Sequence, residues 1–249
     1  MLGSKVWAII PARYGSTRLP GKPLLPIAGK PMFAHVAQRA QEAGVETSCI
    51  AIATDDERIA NSASEQGIRA LMTCSHHDSG SDRVLEAAQK IGAADEDLIL
   101  NLQGDEPFVP PLLISSLVQY ASKSPFSIST VSVPIEVESQ FYNENSVKVV
   151  LGDKGRAIYF SRAGIPFERG AETDFRSALR HIGVYCYQMK ALKQFCSSVP
   201  PSLEGIEKLE QLRALYYGLD IGCIVFNGTV PIGVDTQAEY DELLKIYGV

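Results

Sequence analysis

The chain has 249 residues, 45% hydrophobic and 21% charged, which are ordinary globular values at a length that can bury a sizeable core. A formal net charge of -6 speaks against the broad basic face that binds a nucleic-acid backbone, although a local basic pocket remains open. No apolar run approaches the roughly 20 residues of a membrane span, the N-terminus lacks a signal-peptide pattern, and the five cysteines are widely spaced without a C-x-x-C pair, so a cytosolic protein with buried free thiols and no zinc site is expected.

Lys5 to Pro11 reads as a central parallel strand, apolar on both faces. Pro31 to Ala43 has helical spacing and ends at Gly44. Ser48 to Ala53 is a second strand, and Thr54-Asp55-Asp56-Glu57 reads as a capping box, with Thr54 as N-cap of a helix that runs to about Gln66 and stops at Gly67. Ile68 to Thr73 is a weaker strand, Cys74 to Ser81 a polar loop, Arg83 to Ile91 a helix, and Leu98 to Gln103 a strand. Pro110 and Pro111 open a helix through Tyr120. Strands alternating with helices in this way predict a doubly wound α/β sheet with ligands at the carboxyl ends of its strands.

The second half changes character. Ser127 to Ile135, Val147 to Leu151 and Arg156 to Phe160 read as strands with no helix between them, with a hairpin turn at Asp153-Lys154-Gly155. Gly164 to Ser177 is a polar loop, Ile182 to Tyr187 a strand, Lys190 to Cys196 and Leu203 to Tyr217 helices, and Ile221 to Phe226 a last strand. Thr236-Gln237-Ala238-Glu239 is a capping box for a terminal helix. One domain spanning 1–249 is expected, with an antiparallel section around 127–190.

The stretch from Ile9 to Pro23 runs from a strand into a loop with Gly15, Gly21 and the cations Arg13, Arg18 and Lys22. It is not a P-loop, because five residues rather than four separate Gly15 from Gly21, and Pro23 occupies the place of the magnesium-binding hydroxyl. Backbone N–H groups and cations after a strand can still hold a triphosphate; the plain alternative is a solvated basic loop. Asp105, after a strand end and Gly104, and Asp235, after Gly233-Val234, offer the hard oxygens that magnesium prefers, or serve as turn and cap residues. His181 at a strand start reads as a structural hydrogen-bonder, His76 and His77 as loop residues, and Glu210 and Gln211 as a solvated helix face.

The run Ile10 to Leu24 closely resembles the signature of the 3-deoxy-manno-octulosonate (Kdo) cytidylyltransferase family. Ser79-Gly80-Ser81-Asp82-Arg83, Asn101 to Pro107, Tyr159 to Ala163, Arg180 to Tyr185, Leu209 to Arg213 and Gly233 to Thr236 match in family order along nearly the whole chain. The resemblance implies a three-layer, mostly parallel mixed sheet of the nucleotide-diphospho-sugar transferase type, and transfer of CMP from CTP to the anomeric hydroxyl of Kdo for lipopolysaccharide biosynthesis. It implies that Arg13 and Lys22 hold the triphosphate, that Pro11, Ala12, Thr73, Ser81, Arg83 and Gln103 surround CTP, and that Asp105 and Asp235 bind Mg2+. Gln103, Arg162, His181, Tyr185, Glu210 and Gln211 are then the acid-sugar residues, and Arg13, Lys22, Asp105 and Asp235 the catalytic set. The expected partners are CTP and Kdo, with a homodimer and neither nucleic acid nor membrane insertion. Two other readings remain at this point: activation of a different acid sugar, such as an amino-substituted octulosonate or sialic acid, and a nucleotide-binding regulatory module.

Overall fold

Strand β1 (Val6–Pro11) is the centre of the first half of the chain in the computed structural model, which describes residues 4–15, 19–77, 79–169, 174–230, 233–234 and 236–247. Ile9 and Ile10 are fully buried, and each contributes about 1.5–3 kcal/mol by leaving water. A run apolar on both faces suits a strand with a parallel neighbour on each side. Those neighbours are β4 (Ile50–Thr54) and β6 (Leu98–Asn101), and β5 (Arg69–Met72) follows beyond β4, also parallel. A small antiparallel pair, β2 (Pro26–Ile27) and β3 (Lys30–Pro31), precedes helix α1 (Met32–Glu42). Helices α2 (Glu57–Glu65), α3 (Gly80–Lys90) and α4 (Pro111–Ala121) complete the alternation expected from sequence.

Two helix starts differ from expectation, each for a local reason. Thr54 closes β4, and the N-cap of α2 is Asp56, whose carboxylate accepts from the Arg58 N–H at 2.9 Å. Helix α3 begins one turn early, at Gly80. Its N-cap is Ser79, which accepts from the Asp82 N–H at 3.2 Å while its hydroxyl donates to the Asp82 carboxylate at 2.7 Å.

The chain divides into two compact units, residues 1–116 with 230–249, and residues 117–229. In the second, β7 (Ile128–Pro134) pairs with three-residue-longer β10 (Leu179–Gln188) antiparallel and with β11 (Ile221–Val225) parallel. Strand β8 (Lys148–Leu151) joins β10 and β9 (Ala157–Ser161), both antiparallel, with the expected turn at Asp153–Gly155 between β8 and β9. The protein is therefore α/β with a mixed sheet. Helix α5 (Glu138–Tyr142) was not anticipated; it packs Phe141 into a small core with Ile135 and Ala178.

The single helix expected over Leu203 to Tyr217 is two helices. After α6 (Met189–Ser197) come α7 (Ser202–Glu207) and α8 (Leu212–Tyr216), parted by Lys208 at φ 53. The Arg162 guanidinium takes the carbonyls of Glu207 and Lys208 at 2.6 and 3.2 Å, so those carbonyls do not continue a helix. Glu210 and Gln211 lie in the break, and Gln211 is buried, which replaces the solvated face read from sequence. The terminal helix α9 (Gln237–Tyr247) starts as expected: Glu239 accepts from the Thr236 N–H at 2.8 Å, and the Thr236 hydroxyl accepts from the Glu239 N–H at 3.3 Å. Cys49, Cys186 and Cys223 are buried free thiols, but Cys74 is exposed.

Candidate active site

A cleft of about 460 Å³ opens in the first unit at the carboxyl ends of its parallel strands, as the doubly wound topology requires. Pro11, Ala12 and Arg13 reach it from β1, Gln103, Gly104 and Asp105 from the turn after β6, and His77, Ser79, Gly80 and Arg83 from the entry to α3. Gly104 is required where these meet: a Cβ there would stand 2.9 Å from the Pro11 carbonyl oxygen, so any side chain forces the β6 turn away from β1. Gly21, at φ 68, sits against the Tyr14 ring just before Lys22, and the Arg58 guanidinium lies 3.4 Å from that ring's centre.

Lys22 and Asp105 face each other in the cleft. Lys22 Nζ donates to Asp105 Oδ2 at 2.6 Å, with the lysine side chain 12% and the aspartate 33% exposed. The pair thus presents one cation and one carboxylate to the cleft. Magnesium usually takes one or two carboxylates plus substrate phosphates, rather than an all-protein cage. The Asp105 carboxylate, beside Lys22 and Arg13 in the same cleft, has the chemistry of that habit. Asp235, like Arg18, lies outside the described residues, but its chain neighbours do not. The Val234 N–H donates to the Asp105 carbonyl at 2.9 Å, which ties that segment to Asp105.

Arg83 is buried. One arm donates to Thr73 Oγ1 at 2.6 Å and another meets Asp55 at 3.2 Å, so its direction is set from the ends of β4 and β5. Thr73 and Ser81 are buried beside the cleft and are not part of its wall. His77 is the residue that sequence reasoning passed over. Its Nε2 meets Glu86 Oε2 at 2.5 Å, and Glu86 also accepts from the Cys74 N–H and the Lys90 ammonium, both at 2.8 Å. Burial works against the charge on Glu86, but the bonds from Lys90, Cys74 and His77 outweigh it and hold its carboxyl at about 2. The Ser79-x-x-Asp82 pattern was the signal that could have placed His77 just before a helix.

The remaining expected residues belong to the second unit. Thr130 Oγ1 donates to the Val184 carbonyl at 2.8 Å, which leaves an oxygen lone pair for the hydrogen on His181 Nε2, 3.0 Å away. Burial, with the Arg180 charge nearby, lowers His181 to about 3, so the ring is neutral. The Tyr185 ring is 5.4 Å from His181, and its phenol is raised well above the ordinary value by burial, with Tyr187 and Glu210 close enough to add to the shift. Arg162 differs from a free anion ligand. Its guanidinium donates to the carbonyls of Glu207, Glu144 and Lys208 at 2.6, 2.8 and 3.2 Å.

The cytidylyltransferase family model matches residues 7–221. A 3-deoxy-manno-octulosonate cytidylyltransferase from Yersinia enterocolitica is 44% identical over 244 residues, 96% of this chain and 97% of that protein. The chain belongs to this cytidylyltransferase family. A relative of the same name from Serratia proteamaculans is 44% identical over 237 residues, 93% of this chain and 94% of that one. Among solved structures, a CMP:2-keto-3-deoxy-manno-octonic acid synthetase complexed with CTP superposes with TM-score 0.89 at 40% identity, covering 98% of each chain. A cytidylyltransferase from Leptospira borgpetersenii shares the fold at TM-score 0.63 and 16% identity, over 98% of this chain and 88% of its own. The α/β fold and the nucleotidyltransferase class expected from sequence therefore stand. No helix among the described residues is long and apolar enough to cross a membrane.

Proposed function

We propose that the protein transfers CMP from CTP to the anomeric hydroxyl of Kdo, with release of pyrophosphate, for lipopolysaccharide biosynthesis in the cytoplasm. The observation that carries this reading is the Lys22–Asp105 pair set across the carboxyl ends of β1 and β6 in a family cleft. The sugar oxygen attacks the α-phosphorus, the bond to the bridging oxygen of the β-phosphate breaks, and the hydroxyl proton passes to solvent. Lys22 and Arg13 bind the negative oxygens of the departing pyrophosphate, and the strand-end loops hold the reacting groups in line.

Asp105 and Asp235 would hold Mg2+. A bound magnesium supplies charge neutralisation on the phosphates and acidification of the attacking hydroxyl. The neutral His181 ring supports the same view from the other substrate, since a group lowered to about 3 is a poor base and serves instead as a hydrogen-bond partner. A homodimer is part of this proposal, on the resemblance to the family; a monomer mass in sedimentation would remove it.

The test is pyrophosphate release with CTP, Mg2+ and a panel of acid sugars. Kdo is expected to be the best acceptor, and Asp105→Ala to abolish turnover with its far-UV circular dichroism unchanged. A preference for sialic acid or an amino-substituted octulosonate would move the reading to that sugar, and near-normal release by Asp105→Ala would remove the metal assignment.

A further inference from the structure

The four parallel strands of the first unit set out the cleft as a ruler. In the order β6, β1, β4, β5, their carboxyl ends carry Asp105, then Pro11 to Arg13, then Asp55, then Thr73 and the His77 turn. At roughly 4.8 Å between strands, the distance from the β6 end to the β5 end is about 14 Å, close to the length of an extended nucleoside triphosphate. The cation and carboxylate for phosphates, Lys22 and Asp105, sit at the β6 end. Arg83, held by Asp55 and Thr73, marks the β4–β5 end, and His77 shares that end through its bond to Glu86 on α3. A nucleotide whose phosphates lie at Lys22 therefore has its nucleoside beside His77.

The chemistry of the ring follows from its partner. Glu86 accepts from the Cys74 N–H and the Lys90 ammonium, so it is an ionised acceptor, and the hydrogen between it and His77 resides on Nε2. In the neutral ring the other nitrogen, Nδ1, is then an acceptor. We propose that His77 is a nucleoside-recognition residue: Glu86 fixes its ring, and Nδ1 accepts a hydrogen bond from a donor on the nucleoside, either a ribose hydroxyl or the exocyclic amine of the base. This rests on CTP being the nucleotide substrate. Glu86, which bonds the ring, the Cys74 N–H and the Lys90 ammonium and acts on the nucleoside only through the ring, is a positioning residue.

The experiment compares wild type with His77→Gln in steady-state pyrophosphate release from CTP, 2′-deoxy-CTP, 3′-deoxy-CTP and UTP. Glutamine can keep a donor near the Nε2 position and so retain the Glu86 bond, but it removes Nδ1. The KM for CTP is expected to rise about tenfold, the scale of one hydrogen bond, with kcat and the sugar-acid KM within about twofold. One analogue that wild type uses about tenfold less well than CTP becomes equivalent to CTP in the variant. A deoxy analogue identifies the hydroxyl; UTP identifies the amine. His77→Leu, which also loses the Glu86 bond, collapses the same ratio whatever it does to thermal stability, because a ratio on one preparation does not depend on its folded fraction. A wild type active on CTP whose two variants keep every analogue ratio overturns the His77 assignment alone. A wild type that releases no pyrophosphate from CTP with any acid sugar overturns the function reading as well.

Discussion

Two lysines of this chain end in opposite surroundings. Lys22 meets a carboxylate in an open cleft, with its partner one-third exposed. Lys148 is fully buried, and its ammonium donates to the carbonyls of Asn143, Ser146 and Arg162 at 2.9, 2.5 and 2.7 Å. Burial lowers the Lys148 pKa, and the Arg162 charge adds to that, against a smaller opposing pull from Glu207. The network continues from there: Glu207 accepts from the Ser161 hydroxyl at 2.6 Å and from the Arg162 N–H at 2.9 Å. The first lysine can exchange its partner for a phosphate. The second is committed to holding the segments around 143–146, 159–162 and 207–208 together, and with them the break that carries Glu210 and Gln211.

If that contrast is real, the two residues separate under mutation. Lys148→Met keeps the side-chain volume but takes the ammonium away from the carbonyls of Ser146 and Arg162, while Asn143 keeps the Ser146 N–H, and a loss of about 3 kcal/mol in urea unfolding is expected. A wild-type midpoint would remove the distinction. Lys22→Met should do the reverse: turnover falls by about 10²–10³-fold, or about 3–4 kcal/mol in barrier, while unfolding stability falls by only about 1 kcal/mol because the Asp105 carboxylate, one-third exposed, keeps water when its partner is removed. An unchanged dependence on CTP would take Lys22 out of the phosphate site. A smaller effect sharpens the comparison from within the second unit. Folded His181 resists a proton down to about 3, whereas the unfolded ring takes one near 6.5, so between these values the unfolded state binds more protons and stability falls as pH drops. Above about 6.5 there is no contribution; one pH unit below, the loss is about 1 kcal/mol. Unfolding of His181→Phe followed from pH 7 to 5 should show a flatter slope than wild type.

Local patterns made much of the fold legible. The apolar runs of β1, β4 and β6, the stops at Gly44 and Gly67 and the prolines before α4 each act within a few residues, and the structure follows them. The strand-end rule likewise brought Arg13, Lys22, Gln103 and Asp105 to one cleft. What sequence could not show were partnerships across long separations. The helix break at Lys208 depends on Arg162, and the burial of Lys148 depends on carbonyls of Asn143, Ser146 and Arg162 from two segments. His77 was passed over for a different reason. Two adjacent histidines in a polar stretch read as loop residues, and the partner that gives one of them a function, Glu86, lies two turns into the next helix.

The hydrogen bond from the Val234 N–H to the Asp105 carbonyl also has a meaning for the order of synthesis. Residues 230–249 complete the first unit but leave the ribosome after the whole of 117–229. At about 5–20 residues per second, more than a hundred intervening residues delay that contact by roughly 5–20 s. A nascent chain can therefore form the β6–β1–β4–β5 sheet early while the wall behind Asp105 is still missing. The backbone support of the Asp105 turn is therefore among the last contacts the first unit acquires, well after its central strands have paired.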